Sequence, residues 1–241
     1  MNDAKIRLFV DAPLQAGQAV AVGADQANYL FNVMRLARGA AVLLFNGKDG
    51  EWRAEVAEAG RRGGVLVCTA QTAPQHLPPD LWLLFAPIKK ARTDFIVEKA
   101  VEMGAARICP VQTQHTNAER LRIEKLQAHA MEAAEQCGAT YVPAVDDLRS
   151  LDKVLASWPV GRLLFWAEEG LAGQSAPISG PKGAPSAILI GPEGGFSAAE
   201  KSRLRALPFV RAHALGPRIL RADTAAVAAL TLWQTAMGDW Q

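Results

Sequence analysis

The chain has 241 residues, of which 50% are hydrophobic, with 26 basic and 24 acidic side chains and a formal net charge of +2. That length holds one large domain or two modest ones, with apolar residues enough for a sizeable core, and the near-neutral charge neither announces nucleic acid nor excludes it, since local patches outweigh the sum. The three cysteines, Cys68, Cys109 and Cys137, are far apart and show no C-x-x-C spacing, which argues against a disulfide framework or a zinc site. The opening "MNDAKIRLFV" lacks an apolar signal core and no apolar run is long enough to span a bilayer, so the expectation is a soluble, cytoplasmic protein.

In chain order, the first seventy or so residues read as short strands with one helix. "IRLFV" (6–10), "QAVAV" (18–22), "AAVLLF" (40–45), "EWRAEV" (51–56) and "GVLVCTA" (64–70) are strand-length runs. "NGKDG" (46–50) has turn chemistry. "ADQANYLFNVMRL" (24–36) places Tyr29, Leu30, Val33, Met34 and Leu36 at helical spacing. Together these predict a small, barrel-like β-rich unit. "APQHLPPD" (73–80), with three prolines in eight residues, continues neither a helix nor a central strand. The expected division is therefore a domain over 1–73 and a second over 78–241.

Beyond it the rhythm changes. "LWLLFAP" (81–87) reads as a strand buried on both faces, "RTDFIVEKAVEMGA" (92–105) as a helix ended by Gly104, and "RICPV" (107–111) as the next strand. Helices are expected over 119–138, closed by Gly138, and over 150–158, followed by strand "RLLFWA" (162–167). After a Gly- and Pro-rich loop (171–186) come strand "AILI" (187–190), helix 197–207, strand "VRAHAL" (210–215) and a last helix from about Asp223 to Met237. Strands alternating with helices predict an α/β fold with a mostly parallel sheet.

In such sheets ligands bind at the carboxyl ends of the strands. Three loops leave strand ends in the last third: "WAEEG", "GPEGGF" and "GPRILRADT". "GPEGGF" matches neither phosphate-binding glycine pattern, and Ser197 with Glu200 fits a capping box that occupies the first amide donors of the next helix. Glu193 adds negative charge, so the loop suits a neutral or cationic ligand approached by bare backbone; a tight turn that needs glycine only for its angles is equally admissible. In "LGPRILRADTAA" (215–226), Arg218 and Arg221 precede a helix that Asp223 or Thr224 can cap. Cations are disfavoured at a helix N-terminus, so this pair either serves a phosphate, an oxyanion or a carboxylate partner, or forms an ion pair of Arg221 with Asp223 or Glu193. The four histidines, His76, His115, His129 and His213, have no metal spacing, and no metal is expected.

"LIGPEGGFS" followed by "LGPRILRADTA" resembles the RsmE-type ribosomal RNA uridine-N3 methyltransferases of the SPOUT superfamily. "RLFV", "VMRLARGAAVLLFNG", "PIKKARTDFIVEKAVEMGAARICPV" and "EAAEQCGATYVP" (132–143) fall in that family's order, so the resemblance covers nearly the whole chain. Two departures stand out. Asp223 replaces a usual Glu, and "TQHTN" (113–117) carries His115 where the family commonly has an arginine-containing segment.

The resemblance implies a C-terminal SPOUT α/β domain with a trefoil knot, which topology rules alone disfavour, and an N-terminal PUA-like domain. It implies S-adenosylmethionine as cofactor, lined by the backbone of Trp166, Ile190, Gly191, Gly194 and Gly195 in the first loops and of Leu215, Gly216, Ile219 and Leu220 in the last. The implied reaction moves a methyl group to N3 of a uridine in 16S ribosomal RNA, in the decoding region near the 3′ end. The resemblance further implies the RNA or the 30S subunit as substrate, and a homodimer. Arg218 and Arg221 are candidates to stabilise the uracil anion, and Asp223 or Glu193 to orient an arginine or accept the proton. Arg7, Arg35, Lys89, Lys90 and Arg92 are candidate phosphate contacts. Other readings are a SPOUT enzyme acting on a ribose hydroxyl, a tRNA base, or C5 or another position in ribosomal RNA, and an RNA-binding assembly factor without catalysis; a nucleotide-dependent oxidoreductase lacks the dinucleotide fingerprint.

Overall fold

The computed structural model describes residues 4–117, 120–174 and 176–240. The chain divides into two compact units: the first runs up to Leu77 and includes Ala134–Val142, and the second comprises Pro78–Ala133 and Pro143 onward. The short return of 134–142 to the first unit has no counterpart in the expected division.

In the first unit, β1 (Arg7–Phe9), β2 (Ala19–Val22), β3 (Ala41–Phe45), β4 (Glu51–Gly60) and β5 (Gly63–Ala73) form a mixed sheet in the order β1-β3-β4-β5-β2. β1 lies parallel to β3 and the other pairs are antiparallel. One sheet face buries Leu8, Val20, Val42, Leu44, Val56 and Leu66 in a common core. The β4–β5 hairpin is longer than the expected strands at 51–56 and 64–70. It continues past the core as a ribbon with register shifts, its outer residues exposed, where side-chain alternation gives no signal.

The turn at Asn46 forms as its residues dictate, with Asn46 Oδ1 accepting from Lys48 N (3.0 Å) and Asp49 N (2.9 Å). The helix expected over 24–36 is corrected. Four α-helical residues, α1 (Ala24–Ala27), pass into a π-helical stretch over Asn28–Val33. The Met34 N–H reaches Tyr29 O at 2.9 Å, one residue beyond α-helical spacing. The wider turn rotates the side chains, so Leu30 is fully buried while Tyr29, Val33 and Met34 are exposed. Arg35 then turns the chain out of the helix with φ +56°.

The second unit alternates as expected. β6 (Leu81–Phe85), α2 (Lys90–Glu102), β7 (Arg107–Gln112) and α3 (Ile123–Cys137) are followed by two short strands that sequence periodicity did not anticipate, β8 (Ala144–Val145) and β9 (Arg149–Ser150). The start expected for α3 at Glu119 lies outside the described residues. α4 (Leu151–Ala156), β10 (Leu163–Ala167), β11 (Ser186–Ile190), α5 (Ala198–Ala206), β12 (Val210–His213) and α6 (Ala222–Met237) complete it. All sheet pairs are parallel, in the order β12-β10-β11-β6-β7-β8, with β9 also on β7.

Both faces are covered, which explains the nearly unbroken apolar runs. Leu84, Val111, Leu164, Trp166 and Leu189 pack with Leu151 and Leu155 of α4 and Leu204 of α5 on one face. α6 packs on β11 and against α2. No helix among the described residues is long and apolar enough to cross a membrane.

Candidate active site

The loops leaving β10, β11 and β12 meet at one edge of the parallel sheet and enclose a cavity of about 460 Å³. It is lined by Trp166, Ile190, Gly191, Glu193 and Gly195, and from the last loop by Leu215, Gly216 and Arg218 through Arg221. Of the positions singled out as cofactor-lining, only Gly194 is outside this wall; it faces His115 in a smaller neighbouring cavity. The Trp166 ring points into the core, edge-on to Phe196 with centroids 5.8 Å apart.

The glycines of this loop meet two structural demands, at different residues. Gly195 has φ +64°, closes a turn onto Pro192 O at 2.9 Å, and a Cβ there would lie 2.6 Å from Glu169 Oε1. Gly191 is needed for space, since a Cβ would lie 2.6 Å from the Phe196 ring. The Ser197–Glu200 capping box forms as expected, and Glu200 Oε1 also accepts the Gln114 N–H at 2.8 Å. On the other flank the buried Glu168 carboxylate accepts from Arg205.

The expected pairing of Arg221 with Asp223 or Glu193 does not form. Arg92, in the first turn of α2, takes both carboxylates: Nε donates to Asp223 Oδ2 at 2.9 Å and Nη1 to Glu193 Oε1. Arg92 Nη2 is buried without a hydrogen-bond partner. Asp223 is not the cap of α6. Arg221 occupies that position without a side-chain cap bond, and Asp223 lies in the first turn, where its carboxylate suits the helix dipole.

Arg218 and Arg221 are exposed, line the cavity, and form no ion pair among the described residues. Five basic side chains (Lys89, Arg92, Lys201, Arg218, Arg221) and three carboxylates (Glu168, Glu169, Glu193) line the cavity. Glu193 therefore does not make the loop anionic, because its charge is balanced by Arg92. Glu168, Glu169 and Lys201 were not singled out from sequence, although the "WAEEG" loop that carries the first two was.

The candidate phosphate contacts separate. Lys89 and Arg92 line the cavity, whereas Lys90 does not and approaches Asp94 at 3.8 Å. Arg35 is exposed in the first unit. Arg7 is corrected: it bonds Glu51 at 2.6 Å and donates to Ala134 O (2.6 Å), Glu135 O (3.0 Å) and Ala139 O (2.9 Å), closing the carboxyl end of α3 rather than facing a phosphate. His213 at the end of β12 is buried, and burial pushes its pKa down to about 4, so it is neutral near pH 7. Among the described residues no group of three His, Cys, Asp or Glu could hold a metal ion.

A parallel α/β sheet with a walled cavity at its carboxyl edge, joined to a small mixed-sheet unit, defines an α/β ligand-binding fold with an appended β module. Comparison with known families makes this particular. The RNA methyltransferase domain model matches residues 75–234 and the RNA methyltransferase PUA domain model residues 22–67, and the chain belongs to the RNA methyltransferase domain family. It is 26% identical over 228 residues to the ribosomal RNA small subunit methyltransferase E of Rickettsia conorii, covering 93% of each chain. It is 28% identical over 233 residues to the protein of the same name from Bacillus subtilis, covering 90% of each.

Among solved structures, the Neisseria gonorrhoeae ribosomal RNA small subunit methyltransferase E bound to S-adenosyl methionine superposes with a TM-score of 0.87 at 26% identity, over 98% of this chain and 99% of that one. A Legionella pneumophila putative methyltransferase in complex with the same cofactor gives 0.86 at 26% identity, over 97% and 98%.

Proposed function

We propose that the chain transfers a methyl group from S-adenosylmethionine to N3 of a uridine in 16S ribosomal RNA of the small subunit. The observation that carries the reading is a cavity of about 460 Å³ at the sheet edge, with two unpaired arginines at its wall and Arg92 holding carboxylates from two loops. The volume lies within the roughly 300–1,000 Å³ typical of small-molecule and cofactor sites. The relatives' names and the cofactor bound in two similar structures support the same choice.

When bound, the cofactor supplies an electrophilic methyl group on a sulfonium. Backbone at Ile190, Gly191, Leu215, Gly216, Ile219 and Leu220 would hold it. The substrate N3 must lose a proton as its bond to carbon forms. Glu193 Oε1 is held by Arg92, which leaves Oε2 free in the wall as the proposed proton acceptor. Arg218 and Arg221, with no carboxylate partner, stabilise the negative charge that spreads onto the uracil oxygens. Asp223 orients Arg92 from the opposite side. Lys89 and the exposed Arg35 serve RNA phosphates. The threaded, knotted course of the last loops and a homodimer belong to the same reading, and the exposed Leu232 and Trp240 offer apolar surface to a second copy.

The test is nucleoside analysis of small-subunit RNA from a deletion strain, with add-back of wild type or Arg221→Ala. Loss of 3-methyluridine restored by wild type alone supports the reading. Unchanged 3-methyluridine in the deletion strain overturns it.

A further inference from the structure

The cavity wall between Gly191 and Gly195 has little of its own to fix its shape. Its glycines can take backbone conformations that other residues exclude, and ordering such a stretch costs more entropy than ordering any other. Inside the loop a turn bond runs from Gly195 N to Pro192 O at 2.9 Å. Further constraint comes from residues 113–117, which leave the end of β7, two strands away from β11 in the sheet.

His115 Nδ1 lies 3.1 Å from both Gly194 O and Gly195 O, about eighty positions away in sequence. Carbonyl oxygens only accept, so Nδ1 carries the proton and donates to both. One residue earlier, the Gln114 N–H donates at 2.8 Å to Oε1 of Glu200, the residue of the α5 capping box on the far side of the glycine loop. The clasping segment is stiffened in turn by Thr113, whose N–H and hydroxyl each lie 2.9 Å from Thr116 Oγ1. We infer that His115 is a positioning residue for the cofactor cavity: through the Gly194 and Gly195 carbonyls it holds the glycine loop in its ligand-lining shape before the cofactor arrives. The inference rests on the methyl-transfer reading of that cavity, which gives His115 no role.

The action is indirect. His115 is exposed, and it lines the smaller neighbouring cavity and not the main one. The two oxygens it holds belong to the peptide units on either side of Gly195, so the bonds pin the residue whose φ of +64° shapes the turn. Gly195 is buried and lines the main cavity, as does Glu193 two positions before it. Gly194 lets the histidine approach, since a Cβ there would already lie 3.3 Å from His115 Cβ. A loop held in this way needs none of the ligand's binding free energy to order it. Without the clasp, the apparent dissociation constant rises in inverse proportion to the fraction of molecules that keep the shape.

The experiment compares wild type, His115→Ala and His115→Asn in the full chain. The asparagine amide nitrogen is as many bonds from Cα as Nδ1 and restores a donor there. In cofactor-free protein, hydrogen exchange at the Gly195 amide is expected to be about three- to tenfold faster in His115→Ala, the scale of one partly exposed hydrogen bond, and to return to within about twofold of wild type in His115→Asn. The dissociation constant for S-adenosylmethionine, measured by calorimetry, is expected to rise and recover by the same factors. The urea midpoint is expected to stay the same in all three, because the histidine is exposed. Unchanged Gly195 exchange in His115→Ala overturns the inference. So does unchanged cofactor affinity, a His115→Asn variant as impaired as His115→Ala, or a urea midpoint that falls in step with affinity. Exchange is read without cofactor, so a wild-type protein that binds no S-adenosylmethionine overturns the methyl-transfer reading while the exchange rates still decide whether His115 holds the loop.

Discussion

Replacing the glycines of the 191–195 loop one at a time by alanine separates two physical demands made on a single turn. At Gly191 the new Cβ would lie 2.6 Å from the Phe196 ring, a contact real Cβ atoms do not make, and φ there is not in the left-handed region. Phe196 is itself buried against Trp166, so the ring cannot move freely. Overpacking of this kind costs about 1–3 kcal/mol, and at 2 kcal/mol the thermal midpoint falls by about 4–8 °C for a chain of this size. At Gly195 the demand is backbone angle. Holding alanine at φ +64° costs about 1–2 kcal/mol, and the clash with Glu169 Oε1 adds little because that carboxylate is the free end of a flexible side chain.

At Gly194 the Cβ would lie 3.3 Å from His115 Cβ at ordinary angles, a tight contact that a shift of a few tenths of an ångström relieves, and the substitution is expected to cost about 1 kcal/mol or less. The assay is urea unfolding followed by tryptophan fluorescence, with cofactor affinity measured beside it. Gly191→Ala should be rescued in part by Phe196→Leu, the signature of a direct steric coupling. A Gly194→Ala variant as unstable as Gly191→Ala, or a double mutant no better than the single one, would refute the assignment of space to one glycine and angle to the other.

Arg221→Ala should lower kcat/KM by about 10²-fold, the scale of one lost donor to a developing oxyanion, with little change in unfolding midpoint because the side chain is exposed and unpaired; steady-state kinetics and a thermal melt check both halves. His213 should give the fold an acid-sensitive component. Its folded pKa of about 4 lies below the unfolded value near 6.5, so the unfolded chain binds the extra proton between those values and stability drops as pH falls through that window. The loss between pH 7 and pH 5 is about 2 kcal/mol, and urea midpoints of wild type should converge in slope with those of His213→Phe once that proton is gone. Arg162 is buried, donates to both Asp80 oxygens at 2.8 and 2.6 Å and to Ser186 O at 2.8 Å, and covers the Trp82 ring at 3.8 Å. Arg162→Ala should therefore destabilise by about 3 kcal/mol in equilibrium unfolding, whereas Arg203→Ala, which breaks a more exposed pair with Asp152, should stay under about 1 kcal/mol.

What could be read from the sequence was local. Gly104 and Gly138 end their helices with φ +74° and +82°, Ser197 and Glu200 cap α5, and Asn46 makes its turn, because each signal lies within a few residues of its effect. The chain is helical over Ala24–Val33, but its buried face is not legible from periodicity, which assumes 3.6 residues per turn, and a π-helical stretch puts Tyr29, Val33 and Met34 on a different face. The three cavity loops were legible from their glycines and strand ends. Their electrostatic anchor was not: Arg92 is 101 residues from Glu193 and 131 from Asp223, and beside Lys89 and Lys90 it reads as one more surface cation. Arg7 misleads in the same way, since its acceptors are main-chain carbonyls, which no sequence pattern announces.

Glu193 has one side on each of two cavities. A wall shared in this way makes occupancy reciprocal: by whatever factor a ligand on one side changes affinity on the other, the second ligand changes the first by the same factor. Exchanging the cofactor's sulfonium for a neutral thioether on one side alters the field felt on the other.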